Sequence, residues 1–136
     1  MVNALRADGD VVLEHVALAE GRLVGHVLLS RLRTRPSNVK ASALAPLAVD
    51  PGSQGEHVGG ALVAEACVAA AKAGEGVVVA LGDVGWYNRL GFTAAAAGRM
   101  TCEYAGPNLM ARHLGPAPAE PMALRLVYPK AFAALG

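Results

Sequence analysis

Aromatic side chains are scarce in this chain of 136 residues, which holds one tryptophan, three tyrosines and two phenylalanines. Its hydrophobic share of 54% rests on alanine, valine and leucine, so the core is expected to form by small aliphatic packing. Cysteine is almost missing. Cys67 and Cys102 stand 35 residues apart with no paired spacing, which excludes a disulfide framework and reads as free thiols of a reducing cytoplasm. The four histidines show no H-x-x-x-H spacing, so no metal site is expected. A net charge of +1 supplies no field for nucleic acid or an anionic membrane. No run has both the length and the freedom from charge of a membrane span, because the most apolar helical pattern carries Glu65 and Lys72. The start lacks a cationic segment followed by an apolar one, so no secretory signal is read. The length suits one domain, 1–136, with a single core, and neither repeats nor a second domain are visible.

What is present is concentrated in Val49-Asp50-Pro51-Gly52-Ser53-Gln54-Gly55-Glu56-His57-Val58-Gly59-Gly60. An apolar run stops at Asp50-Pro51, a glycine-rich turn follows, and a helical pattern begins at Val58. A strand, a turn and a helix N-terminus make an anion site, because unsatisfied N–H groups and the helix dipole converge there. Glycine lets the backbone approach a phosphate closely. A phosphate loop of the ATPase type needs Lys-Ser or Lys-Thr after its last glycine, and Ala61-Leu62 exclude it. Asp83 stands near the place of a dinucleotide fold's acidic residue, but Gly55, Gly59 and Gly60 have the wrong spacing. The plainer alternative is a glycine-rich turn that only starts a helix.

Residues 11–18 and 23–32 are apolar runs joined across Glu20-Gly21, a hairpin signal. Residues 33–40, with Pro36, Ser37 and Asn38, read as a loop, 41–49 as a strand and 58–73 as a helix. That helix exposes Glu65 and Lys72 on one face and buries Leu62, Ala66, Ala69 and Ala70 on the other. Residues 77–81 form an unbroken apolar run, expected of a strand covered on both faces. Strand, helix and strand make a βαβ unit with two parallel strands. A short helix is expected at 84–90, a strand opening at Phe92 and continuing through 100–103, a proline-rich loop around Pro116, Pro118 and Pro121, and a last strand at 122–128. The fold class is α/β (α+β).

Gln54-Gly55-x-x-Val58-Gly59-x-Ala61-Leu62 resembles the acetyl-CoA loop of the GNAT N-acetyltransferases, whose core is Gln/Arg-x-x-Gly-x-Gly/Ala. Leu44-Ala45-Pro46-Leu47-Ala48-Val49 looks like that family's fourth strand. Trp86-Tyr87-Asn88-Arg89-Leu90-Gly91-Phe92 looks like its Tyr-x-x-x-Gly-Phe segment. Leu126-Val127-Tyr128-Pro129-Lys130-Ala131-Phe132 resembles the close of a bacterial subgroup often called YhbS-like. The resemblance spans roughly residues 1–132 and implies a mixed sheet with a βαβ coenzyme-binding core. It implies acetyl-CoA as co-substrate, with the pyrophosphate on Gln54, Gly55, Glu56, His57, Val58, Gly59 and Gly60. The pantetheine would run beside the backbone of Leu47, Ala48 and Val49, with Asn88 and Arg89 near the coenzyme. An amine acceptor and direct acyl transfer follow, the alternative being a non-catalytic or degenerate acetyl-CoA-binding domain.

Direct transfer expels a thiolate, and a phenol of reference pKa about 10 can protonate it. Trp86 and Tyr87 both stand near the family's general-acid tyrosine, and of the two only Tyr87 can donate an acidic proton. A tyrosine packed under the short helix is the alternative. Phe92 reads as core. The general base stays open among Glu14, His15, His26, Glu103 and His113, since the 41–49 strand holds no carboxylate and Asp50 reads as a turn cap. Nothing positions Cys102 with His113 as a covalent pair. Acceptor loops are expected at 31–40 and 104–121, where Arg31, Arg33, Arg35, Arg112 and His113 would favour a carboxylate-bearing substrate.

Two features depart from the family pattern. His57 stands where the loop has glycine, and only residues 1–10 precede the hairpin, where the family has a strand and two helices; Val2 to Arg6 would be the tail of the second helix. The sheet would then end on the 11–18 strand with an open edge, which leads to the expectation of a homodimer.

Overall fold

A computed structural model describes residues 1–36 and 39–135, without the side chains of residues 54–56, 134 and 135. Helix α1 (Val2–Ala7) leads into strand β1 (Val11–Ala19), which turns at Glu20-Gly21 into β2 (Arg22–Arg35). Both turn residues have positive φ, 52° and 78°, the backbone a two-residue hairpin of matching twist requires. Strand β3 (Ala41–Val49), a 3₁₀ turn (Pro51–Glu56), helix α2 (Val58–Lys72) and strand β4 (Val77–Leu81) follow. Helix α3 (Val84–Asn88) and strands β5 (Leu109–His113) and β6 (Arg125–Val127) complete the regular elements. The sheet order is β1-β2-β3-β4-β5, with β6 on the far end of β2. β3 and β4 are parallel and the other ladders antiparallel, giving the mixed sheet and βαβ unit expected.

Alternation along β4 shows why its sequence is apolar throughout. Val78 and Ala80 face α2, in a cluster with Val27, Leu29, Leu62, Val63 and Met110. Val77 and Val79 face the other way, into a cluster with Leu32, Leu109, Leu124 and Leu126. Each face is covered by its own core. Glu65 and Lys72 are exposed on α2 while Leu62, Ala66 and Ala70 are buried, as the helical period requires. Small side chains on that buried face let the helix lie close to the sheet.

Three expectations are corrected. The 33–40 loop begins later, because β2 runs on to Arg35 and pairs Arg33, Thr34 and Arg35 with β6; Ser37 and Asn38 of that loop lie outside the described residues. The strand expected from Phe92 through 100–103 does not form. Thr93 makes one bridge to Ala111 and Thr101 one to Arg125, while Phe92 is fully buried as core. The 104–121 loop instead holds β5, whose strand character comes from pairing along all of β4.

Glu75, just after α2, is buried and ties three parts of the fold together. Arg31 of β2 grips it bidentately at 2.8 and 2.9 Å, and the Ser42 hydroxyl of β3 donates to it. Burial opposes its charge, but hydrogen bonds from Arg31 and Ser42 and the field of Arg31 and Lys40 outweigh that, so its carboxyl is held below the ordinary value.

Candidate active site

The β3–β4 ladder stops at Ala43–Val79, after which β3 follows β2 as far as Val49 and β4 ends at Leu81. The strands diverge, and the 3₁₀ turn and α2 begin at the wide end. The Asp50 N–H bonds the Val24 carbonyl at 2.7 Å, and the Ser53 N–H bonds the Asp50 carbonyl at 2.8 Å. The Asp50 carboxylate makes no capping bond, contrary to its expected role. His57 sits at φ 60°, ψ 19°, the left-handed region where a side chain costs energy and glycine does not. No side chain caps α2, and its first i→i−4 bond runs from the Ala61 N–H to the His57 carbonyl at 3.1 Å. The amides of Val58, Gly59 and Gly60 therefore precede the intrahelical ladder.

Asp83 caps α3 by accepting the Trp86 N–H at 2.8 Å, which sets where consecutive Trp86 and Tyr87 point. Trp86 leans over the start of α2. A Cβ at Gly59 would stand 3.2 Å from its ring and 3.4 Å from Val49, so a side chain here would require the Trp86 ring to move away by a few tenths of an ångström. Tyr87 turns inward and is 8% exposed, its ring edge-on to Trp86 at 4.9 Å and to Phe92 at 5.5 Å. A Cβ at Gly82 would lie 2.9 Å from the Tyr87 ring, which thus covers the end of β4. Burial pushes the Tyr87 phenol up from its ordinary value. Its hydroxyl bonds no described residue and is not sealed in the core, since the one sealed, unpartnered side-chain polar atom among the described residues is His113 Nδ1.

A cleft of about 670 Å³ results. Six of the expected coenzyme residues line it, namely Leu47, Val49, His57, Gly59, Gly60 and Arg89. Trp86 and Leu90 join them. Trp86 stands on α3 and Leu90 in the turn that follows it, where the Leu90 N–H bonds the Tyr87 carbonyl at 2.9 Å. Ala48 alternates to the other side of β3, Val58 packs against the core, and Asn88 is exposed outside the cleft. What Gln54, Gly55 and Glu56 contribute lies outside the described side chains.

A second cavity, about 460 Å³, opens at the same divergence, next to the cluster on the face away from α2. Ala43, Leu44, Ala45, Val79 and Leu81 form its floor, and Glu103, Tyr104, Tyr128 and Phe132 its wall. Of the five candidates for the base, only Glu103 lines it. Glu14 is held by Arg6 and His26, and the Arg6 hydrogen bond, then that from His26, keeps its carboxyl low. His15 and His113 line neither cavity, and Cys102 shares no hydrogen bond with His113. The arginines expected near the acceptor line neither the cleft nor this cavity; Arg31 and Arg33 instead border a separate hollow of about 300 Å³ with Thr34, Val39 and Lys40. Arg31 is held by Glu75, Arg33 pairs with Asp10 at 3.2 Å, Arg112 donates to the Leu90 carbonyl at 3.1 Å, and Arg35 and His113 line neither cavity.

Residues 11–94 match the family model described as acetyltransferase (GNAT) domain. The chain belongs to the GNAT family. A curated relative, the uncharacterized N-acetyltransferase YhbS of Escherichia coli K12, is 35% identical over 107 residues, covering 78% of this chain and 64% of the relative. The chain thus matches just under two thirds of that relative's length. The GNAT fold is equally clear in solved structures. YhbS from Escherichia coli, in complex with CoA, superposes with a TM-score of 0.88 at 29% identity, over 99% of this chain and 77% of that one. A GNAT family acetyltransferase from Brucella melitensis, in complex with acetyl-CoA, has a TM-score of 0.75 at 30% identity, over 96% and 75%. Among the described residues of this GNAT domain, no group of three or more His, Cys, Asp or Glu side chains could hold a metal ion, and no helix is long and apolar enough to cross a membrane.

Proposed function

We propose that residues 1–136 act as one domain that binds acetyl-CoA in the 670 Å³ cleft and transfers its acetyl group to a primary amine. One observation carries the reading: the β3–β4 divergence, the uncapped start of α2 and cationic Arg89 meet around a single cleft. Helix amides that precede the intrahelical ladder, together with the dipole, favour a pyrophosphate. Arg89 adds charge, and Leu47, Trp86 and Leu90 offer apolar wall to the rest of the coenzyme. Gln54, Gly55 and Glu56 belong to the same loop, and Leu47, Ala48 and Val49 give the strand beside which the pantetheine would run. Relatives solved with CoA and acetyl-CoA support this choice of ligand. Free Cys67 and Cys102 are consistent with a cytoplasmic setting.

Direct attack needs few groups. The amine nitrogen forms the C–N bond, and the C–S bond breaks with its electron pair on sulfur. Tyr87 gives its phenolic proton to that sulfur, and the proton lost by the amine passes to solvent, which restores the phenol. One observation favours a competing reading, a domain that binds without turnover: a left-handed His57 occupies the loop position of a family glycine. Calorimetric titration with acetyl-CoA, followed by thiol release over a panel of amines, separates the two. Binding with no release on any amine selects the binding module, and no binding removes both.

His57→Gly is expected to bind acetyl-CoA at least as tightly as the parent, because glycine adopts the left-handed backbone without strain. A much weaker glycine variant, with a loss that follows histidine protonation, would make the ring a phosphate ligand instead. Homodimerisation is a further part of the proposal, since β1 ends the sheet and Val16, Leu18 and Leu23 are exposed on this hairpin. Light scattering at low micromolar concentration tests it, and a monomer that unfolds cooperatively would remove it.

A further inference from the structure

The second cavity has a chemical character of its own. Three of the chain's six aromatic residues gather on its wall, with Tyr104 edge-on to Tyr128 at 4.9 Å and Tyr128 to Phe132 at 5.2 Å. The other three, Trp86, Tyr87 and Phe92, form the trio on the cleft side. The floor is alanine, leucine and valine. The one charged side chain lining the cavity is Glu103, and no lysine or arginine does. Met1 also lines the cavity, but no side chain there is cationic, so an acceptor bearing a carboxylate or phosphate would lose water without gaining a side-chain counter-ion, which is costly. An ammonium group gains the Glu103 carboxylate and the faces of tyrosine rings. Burial, with the charge of Glu103 acting in the same direction, raises the phenols of Tyr104 and Tyr128, so both stay neutral.

We propose that this cavity receives the acceptor, and that the acceptor is a small primary amine on an apolar, ring-sized body, its ammonium drawn by Glu103. The proposal rests on the transferase reading, because it places the amine beside the β3–β4 divergence, which further along β3 also borders the cleft. A volume of about 460 Å³ suits a small molecule. Glu103 is a specificity residue here: it draws the ammonium into the cavity, and the nitrogen gives one proton to solvent before it leaves the carboxylate and attacks the acyl carbon.

Phenethylamine and phenylalanine differ by one carboxylate and make a matched pair. With acetyl-CoA saturating, kcat/KM for phenethylamine is expected to exceed that for phenylalanine by about 100-fold or more. Each methylene added to a linear alkylamine is expected to lower KM about fourfold until the cavity is full. Glu103→Gln should raise the KM for phenethylamine about fivefold with kcat kept, as loss of an exposed ion pair does, and Glu103→Asp should recover part of it. Acetyl-CoA affinity should not change in either variant. Preference for phenylalanine or spermidine, or faster use of hexanoyl-CoA than acetyl-CoA, would overturn the proposal. Binding is also read without catalysis, by phenethylamine-dependent shifts of the Tyr104, Tyr128 and Phe132 ring signals in NMR of the protein alone. Unmoved rings would overturn the proposal even if some amine is acetylated. Moved rings with no thiol release on any amine would sink the transferase reading and leave the cavity's ligand class standing.

Discussion

Phenylalanine at position 87 is expected to leave acetyl-CoA affinity unchanged and to lower turnover about 10²–10⁴-fold, the usual range for loss of a general acid. The variant keeps the ring, so the edge contacts to Trp86 and Phe92 and the cover over Gly82 survive. Only the hydroxyl goes, and it bonds no described residue, so its loss leaves no hydrogen bond broken in the fold. Counted along the chain, Tyr87 stands four residues before Gly91, the spacing of the family's Tyr-x-x-x-Gly-Phe, so Tyr87 rather than Trp86 takes the aligned place. Because burial raises its pKa, the phenol stays protonated past its ordinary value of about 10. The parent's rate should therefore fall on the alkaline side only above about pH 10, and this limb should vanish in Tyr87→Phe. Equal rates for parent and variant at every pH would take Tyr87 out of the mechanism.

Glu75→Gln is expected to cost about 3 kcal/mol of stability, the lower end for breaking a buried ion pair, because Arg31 keeps partial contact with water. In a domain of this size that is a fall in Tm of about 10 °C. The pair joins β2 to the α2–β4 connection and, through Ser42, to β3, so no single neighbour can take over its role. Its pH dependence has a definite sign. The folded carboxyl titrates below the unfolded value of about 4.3, so its contribution is present above that pH and is lost as pH falls through the folded pKa. Thermal melts should show parent and variant well separated at pH 7 and converging at lower pH. A constant gap down to pH 3, or no gap at pH 7, would refute the account.

Strands β3 and β4, the hairpin turn, α2 and the glycine-rich turn were all legible in the sequence, because each is set by neighbours along the chain. An unbroken valine run needs cover on both faces, a helical period needs one buried side, and a turn followed by a helix leaves amides pointing outward. Six of the coenzyme residues that the family resemblance implied line the cleft. Strand β5 was not legible. Leu109-Met110-Ala111-Arg112-His113 holds no β-branched residue, and it is extended because the antiparallel edge of β4 holds it so. The strand promised at Phe92 failed for the converse reason, its local pattern finding single bridges in place of a full edge. The Arg31–Glu75 pair spans 44 positions, so the sequence showed Arg31 only as one of several residues near an acceptor and not as the partner of a buried carboxylate. The second cavity is a tertiary product throughout. Ala43 and Val79 come from the parallel pair, Tyr104 from a loop, and Tyr128 and Phe132 from the end of the chain. Periodicity and turn chemistry determine which segments are strands and helices. Which distant side chains share a cavity depends on strand register and on where β3 and β4 part, and these are decided only when the sheet and its two cores pack together.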